Sequence, residues 1–131
     1  MTTSEKISVM VVEDNPDMLD IYTGMFKDEP LYDVEMYTDA MEALRHLEDK
    51  HFDIIILDII MEPLTGESFF VYLRGNIKTM NIPVVIVSVL DPTTLDALKR
   101  LDHSRILQKP IRKEDLFNTM KEMLTLYGKK S

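Results

Sequence analysis

Asp53-Ile54-Ile55-Ile56-Leu57-Asp58 decides the fold of this chain. An unbroken apolar run flanked by aspartates is what a strand buried on both faces of a parallel sheet requires, because helices cover it above and below. Val84-Val85-Ile86-Val87-Ser88 reads in the same way. The flanking runs differ. Tyr32-Asp33-Val34-Glu35-Met36-Tyr37 alternates polar with apolar residues, and Arg105-Ile106-Leu107-Gln108 holds only two apolar residues. Both suit sheet edges. With Ile7–Val12 as a further strand, the strands expected at Ile7–Val12, Tyr32–Tyr37, Asp53–Leu57, Val84–Ser88 and Arg105–Gln108 alternate with segments of helical period. The expected fold is α/β: a doubly wound, five-stranded parallel sheet of order 2-1-3-4-5, a flavodoxin-like three-layer sandwich.

Helix starts are written in the sequence. Asn15-Pro16 supplies an N-cap and a proline at the first helical position, Asp39 with Glu42 has capping-box spacing, and Asp91-Pro92 repeats the first arrangement. The last helix carries Leu116, Met120, Met123, Leu124 and Tyr127 on one stripe and stops at Gly128. At 131 residues, 45% of them hydrophobic, the chain is expected to form one domain over residues 1–131, structured from about 6 to 128, with no linker, repeat or output domain.

A net charge of −8 argues against direct nucleic-acid binding, which runs on lysine and arginine neutralising phosphates. The absence of cysteine excludes disulfides and cysteine-rich zinc sites. No signal peptide or run of membrane-spanning length is present, so a soluble protein of the cytoplasm, with no membrane partner, is expected.

Chemistry gathers at the carboxyl ends of the expected strands: Glu13-Asp14 after the first, Asp58 after the third, Ser88 after the fourth and Lys109-Pro110 after the fifth. Taken singly these are ordinary residues, since Asp caps helices and turns and Lys-Pro is a common surface dipeptide. Taken together they converge at the switch point of a 2-1-3-4-5 sheet, where ligands bind in such folds. Three close carboxylates resist joint ionisation, and a hard cation such as Mg²⁺ relieves the conflict. An aspartate can itself be a nucleophile toward phosphorus, with Lys109 and the Ser88 hydroxyl set against the phosphoryl oxygens. His46, His51 and His103 show no metal-ligand spacing.

The series Glu13-Asp14, Asp58, Gly66, Ser88 and Lys109-Pro110 resembles the receiver domains of two-component response regulators over essentially the whole chain. The resemblance implies that Asp58 accepts phosphate from a phosphohistidine on a sensor histidine kinase or phosphotransfer protein. It implies that Asp14, Asp58 and the backbone carbonyl of Ile60 bind Mg²⁺, with Glu13 acting through metal-bound water. Ser88 and Lys109 would contact the phosphoryl group, and the Lys109-Pro110 bond would be cis. Phosphorylation would shift an equilibrium toward a conformation that engages a downstream protein, or a fused effector outside this chain, through the fourth helix, fifth strand and fifth helix. The family is a phosphoacceptor switch that takes part in its own phosphorylation and dephosphorylation. A homodimer through the fourth and fifth helices is compatible with the pattern, though no sequence feature argues for it.

Several residues depart from the family pattern. Ile106 stands where receivers carry a Tyr or Phe that swings inward, and Val89 where a small residue is preferred, so both bear on switching and access. Ile60 and Leu90 are apolar at positions that modulate attack by water, which predicts a long-lived phosphoryl-aspartate. Met61-Glu62-Pro63 places its proline one position late, and Asp102-His103 replaces Gly-Ala before the last strand. Two readings of other classes compete. A haloacid dehalogenase-type phosphatase needs a second acid where Ile60 stands, and a phosphorylation-independent interaction module is motivated by Ile106 and Val89.

Overall fold

The computed structural model describes residues 6–58, 66–89 and 103–128. Five strands, β1 (Ile7–Val12), β2 (Tyr32–Tyr37), β3 (Ile54–Asp58), β4 (Val84–Ser88) and β5 (Ser104–Gln108), form one sheet of order β2-β1-β3-β4-β5. All four pairings are parallel. The described helices are α1 (Pro16–Phe26), α2 (Ala40–Asp49), α3 (Gly66–Gly75) and a C-terminal helix (Lys113–Tyr127). The expected helix opening at Asp91-Pro92 lies outside the described residues, as do Ile60, Met61-Glu62-Pro63, Leu90 and Asp102.

Strand alternation sorts the core into two halves. Met10, Val12, Ile55, Leu57, Val84 and Ile86 pack with Ala43 and Leu47 of α2 and Phe69, Phe70 and Leu73 of α3. Their neighbours Val9, Val11, Ile54, Ile56, Val85 and Val87 pack with Tyr22 and Phe26 of α1 and with Leu116, Met120 and Met123 of the C-terminal helix. The three central strands are buried on both faces from end to end of their apolar runs, which is why their sequences lack alternation. β2 and β5 occupy the edges, as their mixed sequences require.

The strand bounds match the sequence reading except at both ends of β3, which lies one residue later and takes in Asp58, and at the start of β5. β3 begins at Ile54 and not Asp53, because Asp53 turns its carboxylate onto the Ser8 amide (Oδ2, 2.8 Å) and so closes the amino end of the sheet. β5 gains Ser104. Asn15 caps α1 as expected, its Oδ1 accepting from the amides of Asp17 (2.8 Å) and Met18 (3.3 Å), with Pro16 opening the helix. Asp39 caps α2 by accepting from Met41 N at 2.9 Å. The reciprocal arm of the expected capping box is not made, because Glu42 pairs with Arg45 one turn ahead. Gly128 ends the C-terminal helix, its amide donating to the Leu124 carbonyl at 2.9 Å.

Candidate functional site

Parity along the strands builds the site. Glu13 continues the Val9–Val11 side of β1, since its amide still donates to the Tyr37 carbonyl (2.9 Å) and keeps the ladder regular. Asp58 continues the Ile54–Ile56 side of β3 from inside the strand, opposite Val87. Lys109 continues the Leu107 side of β5, its amide held by the Ser88 carbonyl at 2.7 Å. All three side chains therefore emerge on the face that carries α1 and the C-terminal helix, at the edge of the apolar core.

There the Lys109 ammonium lies 3.3 Å from Glu13 Oε1 and 3.5 Å from Asp58 Oδ2, and all three groups are largely withdrawn from solvent. Asp14 is exposed, yet its carboxylate joins those of Glu13 and Asp58 in a cluster whose oxygens lie within 4.8 Å of one another. One lysine faces three acids. Burial pushes the Glu13 carboxyl up to about 7, reinforced by its hydrogen bond with Asp58 and by the Asp58 charge; the Asn15 amide on Oε2 (3.2 Å) and the Lys109 charge act against the rise. The excess of negative charge, with oxygen as the only donor atom, fits a hard divalent cation and does not fit zinc or copper. Among the described residues no other group of acidic or histidine side chains has this arrangement. The three histidines are placed apart from it, as expected: His46 against Tyr37, His51 beside Asp53 and His103 against Tyr127.

The remaining sequence candidates flank the cluster. Ser88 is buried at the end of β4 and has the parity of Val84 and Ile86. Ile106 has the same orientation and packs, half-buried, on the α2–α3 half of the core. Val89 follows Ser88 and is 61% exposed, with its carbonyl 3.5 Å from Gln108 Nε2. The Lys109-Pro110 bond is cis. Gly66 opens α3 beyond the loop that follows Asp58.

Tyr22 is the residue that sequence reasoning missed. It is fully buried on α1 beneath the acidic cluster, and burial together with the charges of Glu13 and Asp58 pushes its phenol far above the usual range. Its place in the helical stripe Met18-Tyr22-Phe26 announces core. Only the parity of Glu13 and Asp58 reveals that this part of the core ends under charge.

Residues 9–121 match the response regulator receiver domain model. The chain is a member of that family. Among relatives, Protein PilG of Pseudomonas aeruginosa is 29% identical over 90% of this receiver and 87% of its own length. A protein-glutamate methylesterase/protein-glutamine glutaminase of Rhodopseudomonas palustris is 34% identical over 71% of the receiver, which spans only 25% of that longer protein. Among solved structures, Vibrio cholerae chemotaxis protein CheY4 superposes with a TM-score of 0.81 at 26% identity, covering 91% of this chain and 99% of that one. The receiver domain of a Pseudomonas aeruginosa sensor histidine kinase, solved with magnesium in its active-site cleft, superposes at 0.80 with 21% identity over 92% of this chain and 98% of that one. Receiver domains are generally phosphoacceptor switches in two-component signalling; this chain has their fold, and its acidic cluster fits the acidic pocket at which they bind Mg²⁺. No described helix is long and apolar enough to cross a membrane.

Proposed function

We propose that Asp58 is the phosphoacceptor and that this receiver passes a phosphorylation signal to a protein partner. The observation that carries the reading is the position of Asp58: a nearly buried carboxylate fixed inside a central strand, 3.5 Å from a lysine and within a cluster of two further acids. One Asp58 oxygen attacks the phosphorus of a phosphohistidine. The new P–O bond forms as the P–N bond breaks, and the imidazole leaves with the electron pair and takes up a proton from water. Lys109, already balanced between Glu13 and Asp58, moves its charge onto the incoming phosphoryl oxygens, and Ser88 donates its hydroxyl to another. Asp58, Asp14 and the Ile60 carbonyl, with Glu13 behind them, are the groups that would hold Mg²⁺, which supplies charge neutralisation to the phosphoryl oxygens when bound.

The phosphodonor is a sensor histidine kinase or phosphotransfer protein of the cytoplasm. The output surface is the face comprising β5, the C-terminal helix and the helix expected before β5. Ile106 replaces the aromatic residue there, so switching is carried by displacement of the β4–β5 ends, which the Lys109–Ser88 hydrogen bond couples, and not by a ring moving inward. Val89, at the rim, sets donor access.

The test is incubation with Mg²⁺ and acetyl phosphate, or with phosphoramidate, followed by intact mass, with Asp58→Asn as control. One phosphoryl group that requires both Asp58 and Mg²⁺ is expected. Mg²⁺ binding without transfer from either donor or from a phosphohistidine protein would replace this reading with the phosphorylation-independent module.

A further inference from the structure

At the amino ends of the strands, five residues and so about 17 Å along β3 from Asp58, the structure has a cleft of ≈ 400 Å³ between the start of β3, the α3–β4 turn and the end of the C-terminal helix. Its floor is apolar: Phe52, Ile82 and Pro83 are buried. Its walls are Ile77, 86% exposed, and the ring of Tyr127, which is held by His103 at 4.3 Å between centroids. Three polar groups converge on this apolar surface. Lys78 forms no ion pair with any described residue. Asn81 also lines the cleft. His51 approaches Asp53 Oδ1 at 3.4 Å while the other Asp53 oxygen is occupied by the Ser8 amide, so the one acid in the lining is already engaged from two sides.

The turn that carries Ile77 and Lys78 is preformed. Asn76 Oδ1 accepts from the Lys78 amide at 3.0 Å, the Asn76 carbonyl accepts from Met80 N at 2.8 Å, and the buried Thr79 hydroxyl donates to the Leu73 carbonyl at 2.8 Å. A concave apolar site of this size with a few convergent polar groups is what a small organic ligand needs. The ammonium at its edge, held in no ion pair with a described residue, favours a carboxylate as the charged group of that ligand.

We propose that this cleft is a second binding site, separate from the acidic cluster, for a small organic acid: an apolar or aromatic body seated on Phe52, Ile82 and Pro83 with its carboxylate on Lys78. The body fills the hollow beside Ile77 and Tyr127, and Asn81 offers the carboxylate a further donor. The site is built from residues that the phosphoryl chemistry does not use.

The experiment is an amide-resolved NMR titration of the ¹⁵N-labelled protein with 1-naphthaleneacetate, and in parallel with the uncharged 1-naphthaleneacetamide. Saturable shifts at the Phe52, Ile77, Asn81 and Tyr127 amides are expected for the acid, with a Kd of about 0.1–1 mM. Binding of the amide is expected to be about five- to tenfold weaker. Lys78→Met should weaken the acid to the level of the amide, Lys78→Arg should retain it, and Asp58→Asn should leave it unchanged. Lys78 is a turn residue whose side chain supports no part of the core, so both variants fold. Equal affinity for acid and amide, equal affinity in Lys78→Met, or no saturable shift at these four amides overturns the proposal.

Discussion

Glu13→Gln tests the site through the stability of the whole domain. The Glu13 carboxyl sits at about 7 in the folded protein against 4.5 in an open chain, so the folded state holds the proton more tightly. Stability from this group is fully present below pH 4.5. It declines as pH rises through the interval, because there the folded protein binds more protons than the unfolded one, and it is lost above about pH 7. Two to three pH decades at about 1.4 kcal/mol each amount to about 3 kcal/mol. For a domain of this size that corresponds to about 10 °C in Tm. Glutamine mimics the uncharged, protonated form: its NH2 group can donate to Asp58 while its oxygen, in the place of Oε2, still accepts from the Asn15 amide. The variant should match the wild type near pH 4.5 and exceed it by about 3 kcal/mol at pH 8 in metal-free buffer. Urea unfolding of both proteins from pH 4 to 8 in EDTA reads the difference, and normal surface carboxylates cancel in it. A difference that stays flat from pH 4.5 to 8 would refute the reasoning, for it would mean that Glu13 is not held among buried like charges. Mg²⁺ should abolish much of the variant's advantage by compensating the same charge.

Lys109→Met removes the cation that Glu13 and Asp58 share; its loss of stability should be greater at pH 8, where Glu13 is ionised, than at pH 5, and equal losses in urea titrations at the two pH values would exclude that account. Asn15→Ala strips α1 of its cap at the Asp17 and Met18 amides and also unsettles the backbone beside Glu13; a cost of about 1 kcal/mol is expected in equilibrium unfolding. Millimolar Mg²⁺ should raise Tm in the wild type, with the increment falling in Asp14→Asn, as mass action requires of a ligand held only by the folded state; differential scanning fluorimetry with and without EDTA measures it. The phosphorylated protein should lose its phosphoryl group slowly, and Ile60→Asn should accelerate that loss when followed by intact mass over time; rapid loss that Ile60→Asn leaves unchanged contradicts the role given to an apolar residue there.

The order of the sheet was legible because burial leaves a direct mark on composition: Ile54–Leu57 and Val84–Val87 are doubly covered and read as unbroken apolar runs, whereas the edge strands do not. The acidic cluster was legible because chain direction in a parallel sheet delivers every strand's last residue to one end. What local pattern left open depends on parity and on contacts between distant segments. Glu13 and Asp14 are equivalent as adjacent acids in a string of letters, but the ladder carries Glu13 into the core and leaves Asp14 outside. Glu42 has capping-box spacing but is drawn to Arg45. The cis bond before Pro110 was expected only from the family resemblance. The cleft at Lys78 joins three segments separated by tens of residues, and no local periodicity could announce it.

Asp58 lies within the ladder itself, flanked by strands buried on both faces. Amide exchange at such a position proceeds only through openings whose free energy approaches that of global unfolding, whereas loops and helix ends open far more readily. Asp58, the proposed acceptor, is thus anchored in the slowest-exchanging part of the molecule. A phosphodonor meets a floor that is already in place, and the rearrangements that transmit the signal fall to segments above it that can move without disturbing that floor.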